Sequence, residues 1–103
     1  MPTRAEVEAQ IRAAAAGTGV DPDLLVAIAI QEVGESLNPN SPGDYQNGVA
    51  QSDGPFQEHN AGRGAGLSTA QKRDVAAATK RAAAEVLATI QANPRADPGT
   101  IAV

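Results

Sequence analysis

The sequence lacks the residues on which disulfide-stabilised and metal-binding domains depend. It contains no cysteine and a single histidine, His59, among its 103 residues. The absence of cysteine excludes disulfide bonds and cysteine-ligated zinc or iron–sulfur centres. One histidine also argues against a histidine-based metal site, and His59 is better explained as a surface or hydrogen-bonded side chain. We therefore predict a protein without a metal ion and without another cofactor.

A basic region and a long apolar segment are also missing. The formal net charge is −4 and the pI is near 4.7. This charge argues against nucleic acid as the main partner, because phosphate binding requires a basic surface. The most apolar run, residues 24–30, is far shorter than the ~20 residues that span a bilayer, and residues 1–6 lack the apolar core of a signal peptide. We predict no membrane insertion and no signal peptide in this chain.

Aromatic residues are scarce, at 2%, and no segment alternates apolar with polar residues as a half-buried strand does. Capping residues instead mark the starts of three helices, at Thr3, Asp21 and Asp74. The second helix is apolar on every side, which predicts a central position in the fold. On the third, Arg81 and Glu85 have the spacing of an ion pair. The pattern predicts an all-α fold in one domain, residues 1–103.

The segment between the second and third helices is rich in turn-forming residues. Residues 34–54 contain Asn-Pro, Pro-Gly-Asp and Asn-Gly sequences, all of which favour turns. An unstructured loop of this length is uncommon in a small domain unless it has a function. We therefore predict that residues 34–54 form a long loop beside an active site.

Glu32 is the strongest candidate for a chemical role. It shares one helix face with Leu25 and Ile28, so its carboxyl lies at the end of an apolar helix, directly before the loop. Partial burial and the negative end of the helix dipole both raise the pKa of a carboxyl at this position. A carboxylic acid that stays protonated near neutral pH is the general acid that glycosidic bond cleavage requires.

Residues 21–32 resemble the catalytic helix of the superfamily that contains soluble lytic transglycosylases and goose-type lysozymes. In that family an aspartate–proline start and an apolar run lead to the catalytic glutamate with the same spacing. The resemblance continues through Leu37-Asn38-Pro39 and through two segments, residues 48–50 and 54–57, that are similar to the family's glycine–glutamine segment. It covers about residues 18–60. It implies a small lysozyme-like helical domain in which Glu32 is catalytic.

The resemblance also implies which side chains bind the substrate. Gln57 would line the groove and offer its amide to sugar hydroxyl or N-acetyl groups. Tyr45 and Phe56 are the only aromatic residues. Tyr45 is a candidate for stacking on a sugar ring or for covering the loop, and Phe56 is a candidate for the core or, as the less favoured alternative, for the substrate groove.

Two further interpretations remain open for the acidic residues. Val33 stands where the family has a serine, and a Glu-Ser pair follows at Glu35, which makes Glu35 the alternative catalytic residue in a shifted register. A hydrolase of the inverting type also needs a second carboxylate ~6.5–9.5 Å from the acid. Asp44 and Asp53 are the candidates for that role. A transglycosylase needs only one glutamate.

The predicted function is cleavage of peptidoglycan glycan strands between N-acetylmuramic acid and N-acetylglucosamine. The alternative is a non-catalytic cell-wall-binding or structural module of a phage tail protein. The form of the motifs is most similar to domains of bacteriophage tail proteins and endolysins, which predicts a location in the phage virion or the host cytoplasm with delivery to the cell wall. Asp97-Pro98 resembles another helix start close to the last residue, so we expect a C-terminally truncated domain.

Overall fold

A computed structural model describes residues 2–93 of the chain, in which four helices and a small antiparallel sheet occur. The expected helix start at Asp97-Pro98 lies outside the described residues. None of the helices in this range is long and apolar enough to cross a membrane. In chain order the elements are α1 Arg4–Ala15, α2 Pro22–Val33, β1 Gly43–Gln46, β2 Val49–Asp53, β3 Glu58–His59, α3 Thr69–Arg73 and α4 Val75–Ala92.

The capping residues start the helices as the sequence predicts. The Thr3 hydroxyl accepts a hydrogen bond from the backbone of Glu6, whose carboxylate accepts one from the Thr3 amide in return. The Asp21 carboxylate caps α2 by accepting from the Asp23 amide. These side chains satisfy donors that a helix start leaves unpaired, so helix boundaries follow from local chemistry.

The prediction of an all-α fold is wrong. Helices account for 51% of the structure, and the remainder contains a three-stranded antiparallel sheet in the order β1-β2-β3, which makes the fold mixed α and β. Asn47 and Gly48 connect β1 to β2 with backbone φ angles of 52° and 77°. Two positive φ values in a two-residue turn are typical of a tight hairpin, so the segment predicted as one long loop contains a hairpin instead.

The sequence pattern did not predict these strands because their burial pattern is not that of a core strand. Every residue of β1 after Gly43 is exposed, and the buried end of β2 is Ser52 and Asp53, two polar residues. Apolar–polar alternation appears only where one face of a sheet covers an apolar core. The turn sequence Asn47-Gly48 was the usable signal for these strands.

The hydrophobic core lies between the helices and is built largely from small side chains. Helix α4 packs against both α1 and α2. The alanines of its buried face let the helix axes approach closely. Helix α2 is not enclosed on all sides, because Ala27 is exposed and Ile28 only partly buried. It therefore forms a wall of the fold rather than its centre. The fully buried apolar residues are Val7, Ile11, Leu25, Ala29, Leu37, Phe56 and Ala78.

Two ion pairs fasten the sheet to α3 and α4. The Asp53 carboxylate at the end of β2 accepts two hydrogen bonds from Arg73, at 2.6 and 3.1 Å. The Glu58 carboxylate in β3 accepts two from Arg81, at 2.7 and 2.9 Å. Because guanidinium and carboxylate meet as two parallel hydrogen bonds, each pair defines an orientation as well as a distance. The predicted pair of Arg81 with Glu85 is therefore wrong.

Candidate functional site

A half-open cleft lies between α2, α4 and the glycine-rich segment of residues 60–66. Its volume is about 160 Å³, below the roughly 300–1,000 Å³ of pockets that enclose a whole small molecule. The cleft therefore suits one part of a ligand that continues along the protein surface. Charged and apolar side chains share its lining: Glu32, Arg63 and Glu85 supply the charges, and Ile28, Ala82 and Val86 supply apolar surface.

Glu32 lies in the last turn of α2 and lines this cleft one helical turn after Ile28. Burial raises the pKa of its carboxyl above the ordinary value of 4.5; Arg63 lowers this pKa and Asp44 raises it further. The predicted direction of the pKa is thus confirmed. Glu32 as a residue remains exposed, so the expected burial is local. The cleft thus removes part of the hydration of an otherwise exposed residue, which is enough to disfavour the ionised form.

The raised pKa of Glu32 predicts a pH dependence of stability. Because the folded state holds the Glu32 proton more tightly than the unfolded state, this group stabilises the fold below pH 4.5, and the contribution is lost as the pH rises through the higher folded pKa. Glu32→Gln removes the titration. We expect it to raise the melting temperature at pH 7 by about one or two degrees, since solvent screening limits the effect at an exposed residue, and to change it little near pH 4. Thermal unfolding followed by circular dichroism measures this, with Glu35→Gln as the control; equal melting temperatures of Glu32→Gln and wild type at pH 7 would contradict it.

Glu35 lies outside the cleft. Gly34 ends α2 with a φ of 89°, and the Glu35 side chain that follows is 86% exposed. The carbonyl oxygen of Glu35 accepts a hydrogen bond of 2.9 Å from Arg4 on α1, while its carboxylate is 3.9 Å from the same guanidinium. A carboxyl so fully hydrated has neither the local burial nor the fixed surroundings of Glu32.

The structure separates the two candidates for a second carboxylate. Asp53 has an 8% exposed side chain and is committed to Arg73, so it is not free to activate water. Asp44 is exposed on β1 and accepts a hydrogen bond of 2.6 Å from the Ser52 hydroxyl. The negative charge of Asp44 raises the pKa of Glu32, so the two carboxyl groups interact electrostatically. Of the pair, only Asp44 is positioned to influence the site.

The three predicted substrate-binding residues lie in different surroundings. Phe56 is fully buried in the core, so its assignment to the substrate groove is wrong and the core interpretation is confirmed. The Gln57 amide donates hydrogen bonds to the carbonyl oxygens of Ser41, at 2.5 Å, and Gly54, at 3.0 Å. Its amide nitrogen therefore ties two backbone segments together. Tyr45 is 61% exposed on β1 and remains available to a ligand.

Arg63 and Glu85 are the charged cleft residues that the sequence analysis missed. The Arg63 Nε atom lies 2.8 Å from a Glu85 carboxylate oxygen, and this ion pair joins the 60–66 segment to α4 across the cleft lining. Glu85 was predicted as the partner of Arg81, which turns to Glu58 instead. A signal for Arg63 was present, because it is the one long charged side chain among the small residues of Asn60-Ala61-Gly62-Arg63-Gly64-Ala65-Gly66.

The chain was compared with known proteins. No protein-family model, curated protein or solved structure matches it. The function of the chain is therefore inferred from the geometry of the cleft and from the motif resemblance of residues 18–60.

His59 takes part in the local structure of β3. Its Nδ1 atom accepts a hydrogen bond of 2.9 Å from the amide of Ala61, which orients the ring at the start of the glycine-rich segment. This matches the prediction of a hydrogen-bonded histidine. Within residues 2–93, no three histidine, aspartate or glutamate side chains come together in an arrangement that could hold a metal ion.

Proposed function

We propose that this protein cleaves the β-1,4 bond between N-acetylmuramic acid and N-acetylglucosamine in peptidoglycan, with Glu32 as the catalytic acid. The observation that carries the proposal is the Glu32 carboxyl, which borders a half-open cleft at the end of α2 and has a raised pKa. The similarity of residues 21–32 to the catalytic helix of lytic transglycosylases and goose-type lysozymes supports the same role. A cleft open to the surface suits a polymer, which can bind by one unit while its neighbours extend beyond the site.

One carboxyl group suffices for the reaction that we propose. Protonated Glu32 donates its proton to the glycosidic oxygen as the bond from that oxygen to the muramoyl C1 breaks. The resulting Glu32 carboxylate then takes the proton of the same muramoyl unit's C6 hydroxyl, whose oxygen bonds to C1 and closes a 1,6-anhydro ring. Glu32 is protonated again at the end, and no water is consumed. The commitment of Asp53 to Arg73 favours this single-carboxylate route.

The alternative is a module that binds cell wall or has a structural role in a phage tail protein without cutting. One observation favours it: Phe56 and the amide nitrogen of Gln57, two of the expected groove residues, are used by the fold itself. For either function the proposed partner is the peptidoglycan strand. We further propose delivery to the cell wall from a phage particle or from the host cytoplasm.

Analysis of digestion products tests the proposal. Purified peptidoglycan is incubated with the wild-type chain, and mass spectrometry of the soluble fragments is expected to show 1,6-anhydromuramoyl ends. Heat-inactivated protein serves as the control. Reducing ends that carry an added water would overturn the transglycosylase route and make Asp44 the candidate general base. Wild-type protein that sediments with peptidoglycan but releases no fragments would establish the binding module.

A further inference from the structure

Arg63 is held at the edge of the cleft by groups from two directions. Its Nε lies 2.8 Å from a carboxylate oxygen of Glu85 on α4, in an ion pair, and its Nη2 donates to the carbonyl oxygen of Phe56 at 3.0 Å. The Arg63 side chain is 31% exposed and that of Glu85 is 51% exposed, so both remain partly accessible from the cleft. Glu32 lines the same cleft from α2. A cation and an anion thus share one small space with the candidate catalytic acid.

We propose that Arg63 and Glu85 are positioning residues for Glu32, a role that rests on the proposed function. Glu85 holds the Arg63 guanidinium on α4, so that Glu32 keeps its proton until it is donated. Arg63 then stabilises the Glu32 carboxylate that remains after proton transfer. Neither residue bonds to the substrate in this role.

The physical basis is the balance of charge around one carboxyl. A guanidinium left alone beside Glu32 would favour its ionised form and remove the general acid. Pairing with Glu85 offsets much of the guanidinium's field and also fixes its position. The charged groups around Glu32 are Arg63 from residues 60–66 and Glu85 from α4, which line the same cleft, and Asp44 on β1, whose charge raises the pKa of Glu32. Arg63 and Asp44 act on the Glu32 carboxyl in opposite directions, and Glu85 limits the effect of Arg63.

Titration of the Glu32 carboxyl tests the proposal without requiring activity. Protein with ¹³C-labelled glutamate is followed by NMR from acid to neutral pH, and the Glu32 signal is assigned by its loss in Glu32→Gln. In Glu85→Gln the freed guanidinium should lower the midpoint by about half to one pH unit. This is less than the roughly 1–3 expected of an opposite charge at close range, because solvent screens a site this exposed. Arg63→Gln should raise the midpoint.

Two further variants control for structural effects. Arg63→Lys keeps the positive charge and should leave the midpoint near that of wild type. Glu8→Gln removes a glutamate that pairs with Arg4 and Arg12 on α1, away from the cleft, and should leave the Glu32 midpoint unchanged. Far-ultraviolet circular dichroism confirms that each variant is folded before its titration is interpreted.

The pH profile of peptidoglycan cleavage gives the second readout. Because Glu32 must be protonated to act, the alkaline limb of activity should move to lower pH in Glu85→Gln and to higher pH in Arg63→Gln. The maximal rate should fall in Arg63→Gln, which loses the cation that stabilises the Glu32 carboxylate. An unchanged Glu32 midpoint in both variants would overturn the proposal, as would loss of cleavage at every pH in Glu85→Gln, which would make Glu85 a direct participant. If the midpoints move as expected but the wild-type chain releases no fragments, the control of Glu32 by the pair is upheld and the proposed function alone is overturned.

Discussion

Glu32→Gln is expected to lower the rate of peptidoglycan cleavage by about 10²–10⁴-fold, the contribution of a positioned general acid. Glutamine keeps the shape of the side chain and can donate a weak hydrogen bond, but it has no proton to transfer to the glycosidic oxygen. Helix α2 should be unaffected, because glutamine and glutamate have nearly the same helix propensity. Release of soluble fragments from purified peptidoglycan measures the rate, and circular dichroism measures the helix content.

Glu35→Gln is the matched control for this experiment. Glu35 lies three positions after Glu32, and its side chain is 86% exposed and outside the cleft. The substitution therefore removes the same charge without changing the cleft. We expect it to keep most of the activity. The opposite result, with Glu35→Gln inactive and Glu32→Gln active, would mean that the register of the resemblance is shifted and that the site must be rebuilt around Glu35. If both variants were active, neither Glu32 nor Glu35 would be the catalytic residue.

Arg81→Met is expected to cost about 3–5 kcal/mol of the free energy of unfolding, the typical cost of breaking a buried ion pair from one side. Its partner Glu58 has a side chain that is only 1% exposed and receives both of its side-chain hydrogen bonds from Arg81. Removal of the guanidinium leaves this carboxylate buried without its partner. A small domain has a total stability of about 5–15 kcal/mol, so the loss should be close to the limit for folding. Urea unfolding measures it.

Substitution of the partner residue Glu58 and a double variant test this prediction. Glu58→Gln should cost less, because the glutamine still accepts a hydrogen bond and the Arg81 side chain is 31% exposed and can reach water. The double variant Glu58→Leu/Arg81→Met should recover much of the stability, since an apolar pair replaces a buried ionic one. Arg12→Met, which breaks exposed pairs with Glu8 and Asp23, should have little effect. If Arg12→Met lowered the free energy of unfolding as much as Arg81→Met does, the role of burial would be contradicted.

The parts of the fold that the sequence predicts are those that depend on neighbouring residues. The start of α1 follows from Thr3 and Glu6, and that of α2 from Asp21, because each cap bonds within the first helical turn. The position of Glu32 at the end of α2 follows from the same local register. Its raised pKa was also predictable in direction, since an apolar helix face reduces hydration wherever it is placed.

The sheet was not predicted, because its strands carry no apolar signal and are stabilised by distant partners. Asp53 and Glu58 pair with arginines that lie 20 and 23 positions further along the chain. Nothing in the local sequence indicates which of several arginines a given carboxylate will meet. The same uncertainty made Arg81 look like a partner of Glu85, because the spacing of one helical turn is the only pairing rule that a sequence displays.

By itself the sequence determined the three longer helices α1, α2 and α4, their caps and the candidate acid Glu32, since each depends on contacts within a few residues. Only the tertiary structure decided the surroundings of that acid. It buried Phe56 in the core, used the Gln57 amide nitrogen to join two backbone segments, and brought Arg63 and Glu85 to the cleft. Side chains far apart in sequence meet only after the helices pack and the glycine-rich segment turns back onto α4, and the charge balance at Glu32 exists only in that arrangement.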